Sequence, residues 1–168
     1  MRVLVAVGSK YGATREIAKR IADELSSFGY EVDNVNAHDA AAIDSYDAVV
    51  VGSAVYGGLW RRDARELVSS NLEALRKVPV WLFSSGPVGL SPVPGASLGE
   101  GARLAEQLDA RGHEVFSGAL DMNRLNMGER AVVRGMRVRA GDYREWGAVK
   151  SWAREIGHAL NRVAGEIV

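Results

Sequence analysis

Val3-Leu4-Val5-Ala6-Val7-Gly8-Ser9-Lys10-Tyr11-Gly12-Ala13-Thr14 is the stretch whose reading decides the fold. Its first five residues form an unbroken aliphatic run, the pattern of a strand covered on both faces. Gly8 and Ser9 break the run. From residue 14 to 28 the period becomes helical, with Ile17, Ala18, Ile21, Ala22 and Leu25 on one stripe. Gly29 stops the helix, as a glycine past a C-terminus does. A buried strand that passes through a short polar loop into a helix opens a βα unit.

The alternation continues along the chain. Further strands are predicted over residues 30–35, 48–51, 79–83 and 115–120, and further helices over 63–75, 97–108 and 146–163. Residues 38–45 read as a short helix or an irregular crossover. Apolar strands alternating with helices mean an α/β protein, a parallel sheet covered on both faces. Five strands fit the order 2-1-3-4-5 better than a six-stranded dinucleotide fold. The expectation is one domain over 1–168, with an insertion over about 121–145 between the fifth strand and the last helix.

Composition agrees with that reading. A chain of 168 residues and 18.1 kDa has the size of one ordinary domain. With 47% hydrophobic and 25% charged residues it is not a disordered protein. Its 21 basic and 21 acidic side chains leave no net charge, which argues against a nucleic-acid binder. It has no cysteine, which removes disulfides, iron–sulfur clusters and thiol catalysis. No segment reaches the roughly 20 apolar residues of a membrane-spanning helix. The first apolar run is too short for a signal peptide, so the expected location is cytoplasmic, with a contact at a membrane surface left open.

In an open parallel sheet, ligands bind beyond the carboxyl ends of the strands, where the order reverses between strands 1 and 3. Three loops therefore come first. Ser9, Lys10, Tyr11, Gly12, Ala13 and Thr14 lead straight into a helix, where free N–H groups and the helix dipole can hold a phosphate. The alternative is a plain N-cap from Ser9 or Thr14. The loop matches neither G-x-x-x-x-G-K-[ST] nor G-x-G-x-x-G. After the third strand come Ser53, Ala54, Val55, Tyr56, Gly57 and Gly58. The glycines let backbone approach a flat ligand, and Tyr56 offers a face for stacking. Trp60 is either a second such face or a core residue. After the fourth strand come Ser85, Gly86, Pro87, Val88 and Gly89. Each loop is weak alone; three at one sheet edge are much stronger.

Other chemistries on this fold fit poorly. A phosphoacceptor domain needs acidic strand ends, and these read Gly8-Ser9 and Gly52-Ser53. There is no G-x-S-x-G elbow. His38, His113 and His158 lack metal-ligand spacing, so no metal site is expected. His113 is placed in a turn and His158 on a helix, both solvated.

With these residues in view, the chain resembles the flavodoxin family. Ser9-x-Tyr11-Gly12-x-Thr14 is similar to its phosphate loop, with a tyrosine in place of the middle hydroxyl residue. Within the family, Val51-Gly52-Ser53-Ala54-Val55-Tyr56-Gly57 and Gly141-Asp142-Tyr143-Arg144-Glu145-Trp146 look most like the menaquinone-dependent protoporphyrinogen oxidase branch. The resemblance implies a three-layer flavodoxin-like fold and bound FMN. Residues 9–14 would then hold the phosphate, and 53–58 and 85–89 the ring. It further implies an oxidoreductase of haem biosynthesis acting on a porphyrinogen or a quinone, with no side chain assigned as acid or base. The alternatives are a non-enzymatic electron carrier and a domain that has lost FMN or binds a deazaflavin. Carriers of this type are strongly acidic, and this chain is not.

The insertion is locally basic. Arg124, Arg130, Arg134, Arg137, Arg139 and Arg144 face only Asp121, Glu129 and Asp142. Arg130, Arg134 and Arg137 fall on one helical face, opposite Leu125, Val132 and Met136. The bland reading is a solvated helix whose arginines pair with Glu129. The functional one is a contact with an anionic membrane surface or with substrate carboxylates.

Overall fold

A computed structural model of the chain describes residues 1–86, 99–135 and 139–166. The chain folds as a three-layer α/β flavodoxin fold, its central sheet running β2 (Glu31–Asn36), β1 (Arg2–Gly8), β3 (Ala48–Tyr56), β5 (Val80–Ser85), β6 (Gly112–Phe116). These five strands are parallel and realise the expected order 2-1-3-4-5. A two-residue strand, β4 (Leu59–Trp60), folds back antiparallel onto the end of β3.

Strand alternation sorts the core into two halves. Val3, Val5 and Val7 face α1 (Ala13–Ser26) and α6 (Trp146–Glu166), meeting Ile17, Ile21 and Leu25 from one helix and Trp152, Ile156 and Leu160 from the other. Leu4 and Ala6 face the opposite layer, which holds Leu67 and Val68 of α2 (Arg62–Ser70), Leu75 of α3 (Leu72–Leu75) and Leu108 of α4 (Glu100–Leu108). A fully buried aliphatic side chain contributes about 1.5–3 kcal/mol, so this double stripe fixes the sheet between its helices. Gly52 is a glycine because of this packing: a Cβ there would lie 2.0 Å from Cζ of Phe83.

Several boundaries differ from expectation. The helix expected over 63–75 is two helices broken at Asn71, whose side-chain amide donates to the Leu67 carbonyl at 2.8 Å and so competes with the helical bond. β3 and β5 run past residues 51 and 83 into the loops of interest. The last parallel strand lies at Gly112–Phe116, earlier than 115–120. The Phe116 carbonyl accepts from Gly86 N at 2.9 Å, and the chain then leaves the sheet. Ala119–Leu120 becomes β7, paired antiparallel with β8 (Gly141–Asp142). Residues 38–45 hold two short 3-10 turns, Ala37–Asp39 and Ile43–Ser45. Within the insertion, a 3-10 turn (Met122–Arg124) precedes α5 (Met127–Gly135).

Candidate functional site

β1 and β3 are neighbours whose following connections run to opposite sides of the sheet, to β2 and to β5. Ligands of open parallel sheets bind at such a point, and the described residues of the three loops follow the carboxyl ends of β1, β3 and β5. The first loop turns at Gly12, whose φ of 92° is a left-handed conformation that favours glycine. Ser9 Oγ accepts from Gly12 N at 3.2 Å, so this side chain shapes the loop. Among the described residues no side chain caps α1, and its first backbone bond is Glu16 N to Gly12 O at 3.0 Å. The first N–H groups of the helix therefore keep their capacity for an anion. Thr14 is buried at the foot of the turn, while Lys10 stands exposed.

The second loop leaves β3 at Tyr56 and returns through Gly57 and Gly58, with φ of 58° and 78°, into β4. A Cβ on either glycine would meet nothing within 4 Å. Ser53 is wholly buried; its hydroxyl donates to the Ala54 carbonyl and accepts from Arg61 N, each at 2.8 Å. It ties the hairpin to the start of α2. Ala54 is buried and Val55 partly so, whereas Tyr56 is half exposed. Burial of the rest of the ring pushes the Tyr56 hydroxyl up; Arg61 and Lys10 pull the other way, and Tyr11 and Glu129 reinforce the rise.

Trp60 resolves to the core. It is 2% exposed, and its indole N–H donates to Ser84 Oγ at 2.8 Å. Ser84 Oγ also lies 2.9 Å from His113 Nε2. The expectation of a solvated His113 in a turn is thus corrected: it sits on β6, half buried, and burial pushes its imidazole below the usual range. β6 reads Gly112-His113-Glu114-Val115-Phe116, too short and too polar at its start to mark His113 as a strand residue. Glu100 closes the group, accepting from Trp60 N at 2.6 Å. Beside it, Ser85 and Gly86 end β5 buried, with Gly86 at φ 109°. Pro87, Val88 and Gly89 lie outside the described residues.

The insertion supplies what sequence reasoning missed. Among the described residues, Glu129 pairs with none of the insertion's arginines. Its carboxylate accepts from Lys10 Nζ and from the Tyr11 hydroxyl, both on the first loop. These bonds, with one from Asn126 N, hold it down at about 2, and Lys10 is raised in turn. Arg124 donates to the Tyr11 carbonyl, and Arg144 to the Ala13 carbonyl at 3.2 Å. Arg144 also pairs with Asp142 and Glu16 and stacks 4.7 Å over Trp146. Arg130 turns back onto the Met122 carbonyl at 2.9 Å, Arg134 is exposed, and Arg137 lies outside the described residues. The readable signal was Asn126-x-x-Glu129, a capping-box spacing. A cavity of about 270 Å³ lies where the first loop, β7–β8 and the insertion meet, bounded by Tyr11, Ala13, Arg124, Leu125, Asp142 and Arg144 among others. A larger groove of about 410 Å³ between β6 and α6, lined by Glu114, Glu145 and Glu155 among others, includes none of the described residues of the three loops.

The comparisons with known proteins follow this geometry. A profile described as Flavodoxin domain matches residues 4–145. The protoporphyrinogen IX dehydrogenase [quinone] of Escherichia coli strain K12 is 26% identical, over 96% of this chain and 98% of its own length. Among solved structures, a flavodoxin from the domain Archaea superposes with a TM-score of 0.63 at 13% identity, covering 96% of this chain and 99% of the other. A flavodoxin of Streptococcus pneumoniae TIGR4 gives 0.62 at 16%, over 95% and 99%.

Proposed function

The chain belongs to the Flavodoxin domain family, and on that premise we propose that it is an FMN-dependent oxidoreductase that passes electrons from a porphyrinogen-like substrate to a quinone. The observation that carries the reading is the convergence of residues 9–14, 53–58 and 85–86 at one sheet edge, around an uncapped α1. The fit to FMN is chemical as well as topological. The N–H groups of α1, with Thr14 and Lys10, suit a phosphate. The open backbone of Gly57 and Gly58 and the half-exposed ring of Tyr56 suit a flat heterocycle.

When bound, FMN supplies the hydride and single-electron chemistry. The chain's own residues position it, exclude water on the Ser85–Gly86 side and set the charge around it. Protoporphyrinogen and quinone are taken from the Escherichia coli relative, aligned across nearly the whole of both chains. The balanced charge favours an enzyme over an acidic shuttle. Among the described residues no helix is long and apolar enough to cross a membrane. Cytoplasmic residence with quinone access at the bilayer surface, through the exposed Arg134, completes the proposal. Loss of binding to anionic liposomes in Arg134→Ala tests that last part.

The reaction is tested anaerobically with the FMN-loaded protein. Addition of protoporphyrinogen should bleach the flavin absorbance, and a menaquinone analogue should restore it. Bleaching by a reductase protein alone, with none by porphyrinogen, would instead identify a carrier.

A further inference from the structure

The first loop already holds an anion, and that anion belongs to the chain. Glu129 takes a bond from the Lys10 ammonium and one from the Tyr11 hydroxyl, the two charged or polar side chains that the loop presents outward. Its position is fixed by a reciprocal cap: Glu129 N donates to Asn126 Oδ1 at 2.8 Å, and Asn126 N donates to Glu129 Oε2 at 2.9 Å. Arg124 lies over the same loop, with its Nη1 3.5 Å from where a Cβ of Gly12 would stand. A carboxylate and a phosphate oxygen are recognised by the same donors, in charge-assisted bonds about twice as strong as neutral ones. The Tyr11 hydroxyl has one proton to donate, so it serves one of them at a time, and each draws on the charge of Lys10.

Resting on the phosphate-loop reading above, we infer that Glu129 is an internal competitor for the anion site. It sets the affinity of the loop for a phosphate monoester and couples occupancy of the loop to release of α5. A ligand without a phosphate gains nothing by displacing it, so Glu129 bears on phosphorylated ligands alone. Apparent affinity falls by the fraction of protein in which the loop is free of the carboxylate.

The test uses the full chain and two flavins, FMN and riboflavin, which differ only in the phosphate. Glu129→Gln keeps the capping box, since glutamine can return the same bond, and removes the charge. In fluorescence titrations this variant should bind FMN about tenfold more tightly than the wild type, the gain expected if the carboxylate leaves roughly a tenth of the protein competent. Riboflavin affinity should be equal in the two proteins. Amide exchange in residues 127–135 should quicken when FMN is added to the wild type. Equal FMN affinity in both proteins, or a parallel gain for riboflavin, would overturn the inference while leaving the flavin site standing. Failure of both proteins to bind FMN would overturn the flavin reading and this inference with it.

Discussion

Single side chains carry most of the proposed site, and two of them can be removed without touching the core of the sheet. Thr14→Val deletes one hydroxyl at the foot of the proposed phosphate loop. FMN affinity should fall about tenfold, the cost of roughly one hydrogen bond to a charged group, with riboflavin affinity unchanged. Tyr56→Ala removes a half-exposed ring, and should weaken both flavins alike. Fluorescence titration reads both variants. Gly101 makes a different point. A Cβ there would meet His113 Nε2 and Ser84 Oγ at 2.5 Å and Trp60 Nε1 at 2.9 Å. Helix propensity alone would favour Gly101→Ala by about 1 kcal/mol, but overlap with three groups held by one another should cost about 1–3 kcal/mol. Urea denaturation should therefore show a net loss. Gly147→Ala in α6, where a Cβ would touch nothing within 4 Å, should gain up to about 1 kcal/mol.

At the scale of elements, the junction between α1, β8 and α6 depends on Arg144. Its guanidinium is 10% exposed and bridges Asp142, Glu16 and the Ala13 carbonyl. Arg144→Ala leaves two carboxylates without their cation and should cost about 1–3 kcal/mol, read as a lower urea midpoint. Elements with a long apolar stripe were legible from sequence: α1, α6 and the runs that became β1, β3 and β5 have their period written in the residues that pack. What stayed hidden lacks such a period. β7 and β8 are two residues each and pair across twenty positions, so neither announces itself. The Asn71 break rests on one amide competing for a carbonyl inside a good helical pattern. Glu129 looked like a counter-ion for neighbouring arginines because local spacing cannot show that Lys10 lies closer in space.

For the molecule as a whole, the zero net charge conceals ion pairs that set its acid response. Glu129 and Asp142 both sit at about 2, each held down first by its side-chain bonds to a cation. A depressed carboxylate adds stability that is complete above its unfolded value, near 4, and is lost as pH falls through 2. His113 acts in a separate window. Burial lowers its pKa, so the unfolded chain binds its proton first and stability falls as pH drops below the ordinary 6.5. Thermal melts should therefore show two declines, one starting below pH 6.5 and one below about 4. His113→Gln should flatten only the first. The fold and the loops after β1, β3 and β5 are what support the proposed phosphorylated flavin at the carboxyl edge of the sheet. The most direct measurement is a fluorescence titration of FMN into the purified protein, with riboflavin in parallel. One-to-one saturable quenching, tighter for FMN than for riboflavin, is the predicted result; equal affinities, or no quenching by FMN, would contradict the account.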